Sequence, residues 1–505
     1  MTTTRLLTVD AMRCVDETAI SSGIAGYTLM RNAGAAVAER ARARLPVSGR
    51  VLILCGPGNN GGDGFVAGRL LAEGGYAVTL RLLGDAAALS GDAALAAADW
   101  RAGGHPVAPA LARDEVSGFD LIVDALFGAG LSREIAGEAR AVIEAVDRSG
   151  TPVLAVDVPS GIDGDTGEVR GIALAAIETV TFVALKPGHL LQPGHSLCGA
   201  LHVAEIGTGE AALAAGLAAG GAPSFRNGPD LWREVFPRPS AQGHKYTRGH
   251  ALVLSGPPFK TGAARLAARG ALRVGAGLVT MVSPKAAMAE NAAHLTAIML
   301  RACDSPDDLD DLLTDERLDT VLIGPGLGIG DTARDLVVVA ASAGRKLVLD
   351  ADALTSFKGQ APLLAEHLRQ GEAQAVLTPH AGEFARLFAS TGAVEEGLSK
   401  IERTRRAAAI AGSVVVLKGS DTVIAAPDGR AAINDHGSPY LGTAGSGDVL
   451  GGLIAGLLAQ GMAPFEAACA GVWLHGDAGL RHGPGLIAED IPEMMPEVLA
   501  GLLGA

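Results

Sequence analysis

Short apolar runs alternate with stretches of helical periodicity along nearly the whole chain, and this pattern predicts parallel strands joined by crossover helices. In the first half the predicted strands are 51–55, 77–83, 120–124, 152–157 and 179–184. In the second they are 250–255, 278–282, 319–323, 346–350, 374–378 and 413–418. Two such series imply two α/β layer systems. Between them GTGEAALAAGLAAGGAPSF (207–225) is small, nearly uncharged and poor in β-branched or aromatic residues, so a linker is expected there. A boundary near 220 gives domains at 1–220 and 221–505. The halves share no repeated motif, which points to a fusion of unlike domains.

Composition sharpens this picture. A chain of 505 residues exceeds what one hydrophobic core serves, and 48% hydrophobic with 19% charged residues excludes wholesale disorder. The formal net charge of −14 would repel a phosphate backbone, so no nucleic-acid partner is expected. Cys14, Cys55, Cys198, Cys303 and Cys469 are odd in number, scattered and without a C-x-x-C, which suggests neither a disulfide framework nor a zinc site. The apolar stretch 453–474 is broken by Gly456, Gly461, Pro464 and Glu466, and MTTTRLLTVDAMRCVDE lacks a signal-peptide core. No membrane span and a cytoplasmic location are expected.

Candidate chemistry begins at VLILC (51–55), which runs into GPGNNGGDG (56–64) and then a predicted helix FVAGRLLAEG. A glycine loop that delivers backbone N–H groups to a helix N-terminus is a ready anion site. Gly56, Gly58 and Gly61 match G-x-G-x-x-G, but no acidic residue clearly ends the next strand to hold a ribose, so a hydride-transferring enzyme is not favoured. Asn59, Asn60 and Asp63 add carbonyl-bearing side chains that a simple turn would not need. Two more strands end similarly, LIVDALFGAG with Asp124 and VLAVDVPSGIDGDTG with Asp157 and Ser160. Carboxyl ends of parallel strands line ligand crevices. Oxygens from Asn60, Asp124 and Ser160 would suit a hard cation, and Asp157 could give or take a proton. Helix capping by the two aspartates and a serine turn is the alternative for each alone.

These segments, with KPGHLLQPG (186–194), resemble the epimerase domain of the NAD(P)H-hydrate repair enzymes over roughly residues 8–207. The resemblance implies a Rossmann-like three-layer αβα domain. It implies substrate binding by Asn59, Asn60, Gly61, Gly62 and Asp63, by Gly128, Ala129, Gly130, Leu131, Ser132, Arg133 and Glu134, and by Asp157. A potassium ion would be held by Asn60, Asp124 and Ser160.

In the second half YLGTAGSGDVLGGLIAGLLAQG (440–461) places Gly442, Gly445 and Gly447 before a predicted amphipathic helix with Asp448 in its first turn. Backbone amides and the helix dipole make an anion hole beside that carboxylate. SVVVLKGSDTVIAAPDG (413–429) reads as a hairpin whose turn, 418–422, could grip a nucleotide. TPHAGE (378–383) sets His380 and Glu383 just past a strand.

HKYTRGHALVLSG, TGAARLAARGALRVGAGLVT, IGPGLG, LDADAL, TPHAGE, LKGSDT and GTAGSGDVLGG occur in this order, and the set resembles the ADP-dependent NAD(P)H-hydrate dehydratases over nearly all of 225–505. The resemblance implies a ribokinase-like α/β fold. It assigns Ala267, Gly326, His380 and Asp448 to the hydrated dinucleotide, and Lys418, Gly419, Ser420, Asp421, Thr422 and Gly447 to the adenosine phosphate. Gly256, Pro257 and Pro258 depart from the family's usual glycine-serine turn.

Together the resemblances imply a bifunctional enzyme that epimerises the C6 R and S hydrates of NADH and NADPH and dehydrates the S hydrate. They also imply ADP as the phosphoryl donor with AMP and phosphate released, magnesium at the second site, Asp448 and Asp157 as catalytic carboxylates, and a homo-oligomer, with a tetramer as the form to test. The rival reading is a ribokinase-like small-molecule kinase carrying a non-catalytic N-terminal binding domain.

Overall fold

The computed structural model describes residues 4–109, 116–240 and 242–504. The chain divides into two compact units, residues 1–224 and 225–505.

In the first unit the described residues form a seven-stranded sheet. Its order is Ala108–Pro109, Ala77–Leu82, Arg50–Cys55, Leu121–Ala125, Val153–Val156, Glu178–Phe182, Ala200–Ala204, and every neighbouring pair is parallel. The central strands are buried on both faces, which is why they read as unbroken apolar runs. Successive strands step one way from Arg50–Cys55 and the other way from Leu121–Ala125. The crevice beyond the carboxyl ends of these two strands is therefore a topological switch point.

Two expectations are corrected here. The segment expected as a linker carries the helix Glu210–Ala219, which packs on the helix Val9–Ser21. Its lack of large side chains is what permits the contact: a Cβ on Gly216 would lie 2.3 Å from Val15 Cγ2 and 2.8 Å from the Ala11 carbonyl. The helix after the glycine loop also begins earlier than expected, running Asn59–Glu73. Its glycines serve close approach, since a Cβ at Gly61 would fall 1.9 Å from the Gly56 carbonyl oxygen.

The second unit's sheet runs Ala431–Asn434, Thr422–Ala425, Val414–Leu417, Ala375–Leu377, Lys346–Leu349, Thr320–Ile323, His250–Leu254, Leu278–Ser283, Met299–Ala302. The strands from Val414–Leu417 to Met299–Ala302 are parallel. The expected hairpin at 413–429 pairs antiparallel and continues into a third strand. Here the direction of winding reverses between His250–Leu254 and Thr320–Ile323. The helix Ser446–Ala459 is not amphipathic as expected but buried all round. It packs on the central strands with the helices Gly262–Arg273 and Pro464–His482 against it, and both of these also pack on the sheet.

Strands 108–109, 200–204 and 299–302 were not anticipated. They are edge strands; Met299–Ala302 is largely uncovered and Ala200–Ala204 only partly covered, so neither shows the apolar run that marks a central strand. No helix among the described residues is long and apolar enough to cross a membrane.

Candidate functional sites

At the switch point of the first unit lies a cavity of about 620 Å³. Asn59, Asn60, Asp63, Asp157 and the segment Gly128 to Arg133 line it, together with Asp16 and Lys186. Gly61, Gly62 and Glu134 lie outside this lining. Gly61 is packed on Gly56, and a Cβ on Gly62 would run into Met30.

Asp157 follows the strand Val153–Val156 with φ of +65°, a left-handed conformation that aspartate tolerates better than most residues. Its Oδ1 accepts from Lys186 Nζ at 2.8 Å and from Thr181 Oγ1 at 3.1 Å, and its Oδ2 accepts from Ala129 N–H at 2.8 Å. Burial raises the carboxyl, but the Lys186 ammonium and these donors outweigh it and hold the group at about 2. The backbone is fixed as well. Lys186 N–H donates to His189 Nδ1 (2.9 Å), so His189 carries its proton on Nε2 and gives it to the Asp157 carbonyl at 2.7 Å. Burial lowers His189 to about 4, which keeps this ring neutral.

Asn60 stands at the start of its helix. A Cβ on Gly128 would lie 3.0 Å from Asp157 Oδ2 and 3.2 Å from Asn60 Oδ1, so glycine keeps open a space onto which both oxygens converge. Asn60 Nδ2 is buried without a hydrogen-bond partner among the described residues. Beneath the cavity, Asp124 and Ser160 are fully buried and bonded to each other. The Ser160 hydroxyl donates to Asp124 Oδ1 at 2.6 Å, and Ser160 N–H donates to Oδ2 at 2.7 Å. Phe127 N–H in turn donates to Ser160 Oγ at 2.9 Å, so Asn60, Asp124 and Ser160 all border the segment 126–129. Burial, only partly offset by these bonds, raises Asp124 to about 6.

In the second unit Lys418 Nζ meets Asp350 Oδ1 at 2.8 Å, with Asp350 only 2% exposed. Gly447 faces this lysine, since a Cβ there would lie 3.5 Å from Nζ. Asp448 opens the helix Ser446–Ala459 beside them. Burial raises its carboxyl to about 6. Asp350, Asp352 and Glu383 add to that rise and Lys418 opposes it. His380 is brought to Lys418 by a parallel bridge and caps the helix Ala381–Leu387. Its Nδ1 accepts from Gly382 N–H at 2.9 Å, and its Nε2 stands 3.4 Å from Glu383 Oε1 on a half-exposed ring.

The remaining expected residues are placed differently. In the turn 418–422, Gly419 N–H and the Thr422 hydroxyl close the loop on themselves, and Asp421 is ion-paired with Lys400. Gly326, at φ of +65°, packs under the Lys260 carbonyl at the sheet's switch point. A cavity of about 360 Å³ opens there, lined by Ser255, Pro257, Leu327, Gly328 and Thr332 among others. Ala267 is fully buried against Gly452, away from any open surface.

Sequence reasoning overlooked Lys186, Thr181 and His189 in the first unit and Asp350 and Asp352 in the second. A signal existed for Lys186, which stands at the end of the apolar run TVTFVAL, where a lysine must find an anion. Asp350 and Asp352 lie in LDADAL, directly past a strand.

Comparison with known proteins matches residues 251–494 to the family described as NAD(P)H-hydrate dehydratase and residues 26–188 to the YjeF-related protein N-terminus. The bifunctional NAD(P)H-hydrate repair enzyme of Moorella thermoacetica is 38% identical, covering 98% of this chain and 97% of that protein. Its counterpart from Coxiella burnetii is 37% identical over 95% of this chain and 96% of that protein. Among solved structures, the ADP/ATP-dependent NAD(P)H-hydrate dehydratase of Bacillus subtilis, co-crystallised with ATP and Mg2+, aligns with a TM-score of 0.48 and 29% identity. That alignment covers 55% of this chain and 98% of that one.

Proposed function

The chain belongs to the bifunctional NAD(P)H-hydrate repair enzymes, and from that premise we propose that its first unit interconverts the C6 R and S hydrates of NADH and NADPH, while its second returns the S hydrate to NAD(P)H at the expense of ADP. One observation supports the pairing of activities best: each unit sets a carboxylate beside the carboxyl ends of parallel strands, Asp157 in the first cavity and Asp448 next to Asp350 and Lys418.

Hydroxide is a poor leaving group in neutral water, and phosphorylation removes that obstacle. In the second unit Asp448 accepts the proton of the C6 hydroxyl as its oxygen attacks the terminal phosphorus of ADP, and AMP departs. The ring nitrogen's lone pair then expels phosphate from C6, and loss of a proton from C5 returns that pair to nitrogen and restores the C5–C6 double bond. The amides at Gly445 to Gly447 and the Lys418 ammonium stabilise charge on the transferred group. Among the described residues no cluster of three or more His, Cys, Asp or Glu has the geometry of a preformed metal site. Asp350, Asp352 and Glu383 around Asp448 and Lys418 are a carboxylate surplus that fits a magnesium ion, which would supply positive charge to the nucleotide phosphates. The cavity beside Gly326 has room for part of the dinucleotide distant from the ring.

In the first unit the oxygens of Asn60, Asp124 and Ser160 fit a potassium ion, because the buried Asp124 carboxyl lacks a countercharge and an adjacent cation would keep it ionised. Asp157, held ionised by Lys186, stabilises the positive charge that grows on the ring as the hydroxyl departs.

The experiment is recovery of nicotinamide absorbance near ~340 nm from mixed-epimer NADH hydrate with magnesium, potassium and ADP, a readout of the completed elimination. Full recovery by the wild type, and recovery by Asp157→Asn that stalls at the S fraction, are expected. No recovery from folded protein would hand the second unit to the kinase reading. Undiminished epimerisation by Asp157→Asn would remove that residue's role.

A further inference from the structure

The helix Val9–Ser21 supplies a wall of the first cavity that carries its own carboxylate. Val9, Met12, Arg13, Asp16 and Ile20 line the cavity at helical spacing, while Ala11, Val15 and Ala19 face the core. Asp16 is thus aimed at the space that Asp157, Lys186 and Asp63 share. It is half-buried and has no hydrogen-bond partner among the described residues.

Asp157 presents the opposite case. Its two oxygens take three donors, one of them an ammonium, and a carboxylate so occupied is a poor proton acceptor. Epimerisation needs a proton to move twice. The ring nitrogen's lone pair forms the N–C6 double bond as the C6–O bond breaks, and an acid must protonate the departing oxygen to give water. Water then adds to the opposite face, its oxygen forms the new C6–O bond, the double-bond pair returns to nitrogen, and a base takes the surplus proton. Donor and acceptor can be one group, because the second step restores what the first consumed.

We propose that Asp16 is the catalytic acid–base of the epimerisation, while Asp157 serves as the fixed anion that steadies the cationic ring. The assignment rests on the reading of the first unit as the epimerase. Burial and the neighbouring Asp157 and Glu17 raise Asp16, Lys186 opposes them, and the group is set at about 6, where both of its protonation states are accessible near neutral pH. Asp63 and Asp92 are the other carboxyls in the cavity. Burial with Asp157 and Asp16 nearby holds Asp63 well above its ordinary range, and it is nearly inaccessible to water. Asp92 stands on the helix Gly91–Ala102 and is not among the charges that act on Asp16 or Asp157.

The test uses the full chain with separated R hydrate as substrate. Asp16→Asn is expected to lower kcat for epimerisation by about 10²–10⁴-fold with KM little changed, and to slow incorporation of ¹⁸O from labelled water at C6 in parallel. Asp16→Glu is expected to restore part of the rate. Calorimetric titration with NADH checks that the variant's cavity is intact. An Asp16→Asn enzyme that epimerises within about threefold of wild type overturns the proposal, and so does one that loses NADH binding to the same degree as rate, which would make Asp16 a binding group. A wild type without epimerase activity would instead fail the reading of the whole unit and take this assignment with it.

Discussion

The Lys186 ammonium, 2% exposed, stands 2.8 Å from Asp157 Oδ1 and also donates to Thr181 Oγ1 at 2.8 Å. A cation so deeply buried exists only because its anion is fixed beside it, and the reverse holds for Asp157. The pair ties the turn after one strand to the loop after the next. It therefore positions the anion of the cavity and contributes to the unit's stability.

Removing one partner separates these effects. Lys186→Met leaves the Asp157 charge uncompensated and should destabilise the first unit by about 3–5 kcal/mol, while the double variant Lys186→Met, Asp157→Asn should recover a large part of that loss. Urea unfolding of the four proteins in a double-mutant cycle measures it. An additive double variant would mean that the two groups do not stabilise one another.

The acid limb of dehydration follows from Asp448. Its carboxyl, raised to about 6 by burial and by Asp350, Asp352 and Glu383, must be ionised to accept the hydroxyl proton. Activity is therefore present above that value and is lost as pH falls through it. The kcat/KM for the S hydrate should fall about tenfold per pH unit below 6. The Lys418 ammonium opposes the rise, so in Lys418→Met the limb should move to higher pH whatever happens to the absolute rate. A limb left in place in that variant would take the proton acceptor away from Asp448.

Both sheets were legible in the chain because their central strands are covered on both faces, and such strands announce themselves as short apolar runs closed by Asp, Ser or Gly. Asp124 and Asp157 could be singled out from such strand ends, and Asp448 from the glycines that precede its helix. The edges were not legible: Met299–Ala302 has one neighbour and an uncovered face, and its four residues carry no pattern. Pairings across the crevice were hidden for a different reason. Lys186 and Asp157 are 29 residues apart and Lys418 and Asp350 are 68 apart, and nothing local to any of the four fixes its partner. The glycines misled most. Gly61 and Gly64 read as loop residues, yet they lie inside a helix where the adjoining backbone and side chains leave no room for a Cβ.

Glycine at such a helix contact leads to the last prediction. A Cβ on Gly452 would stand 2.0 Å from the carbonyl oxygen of Ala267 and 2.7 Å from its carbonyl carbon, so Gly452→Ala must push the helix Ser446–Ala459 off Gly262–Arg273. Overpacking of this kind should destabilise the second unit by about 1–3 kcal/mol. Asp448 lies one turn earlier on the helix that moves, so dehydration should fall further than stability alone accounts for. Epimerisation, which depends on a different unit, should be unchanged. Assaying both activities on one Gly452→Ala preparation, beside its unfolding curve, tests this directly. Equal loss of the two activities would mean that the helix contact does not act through the position of Asp448.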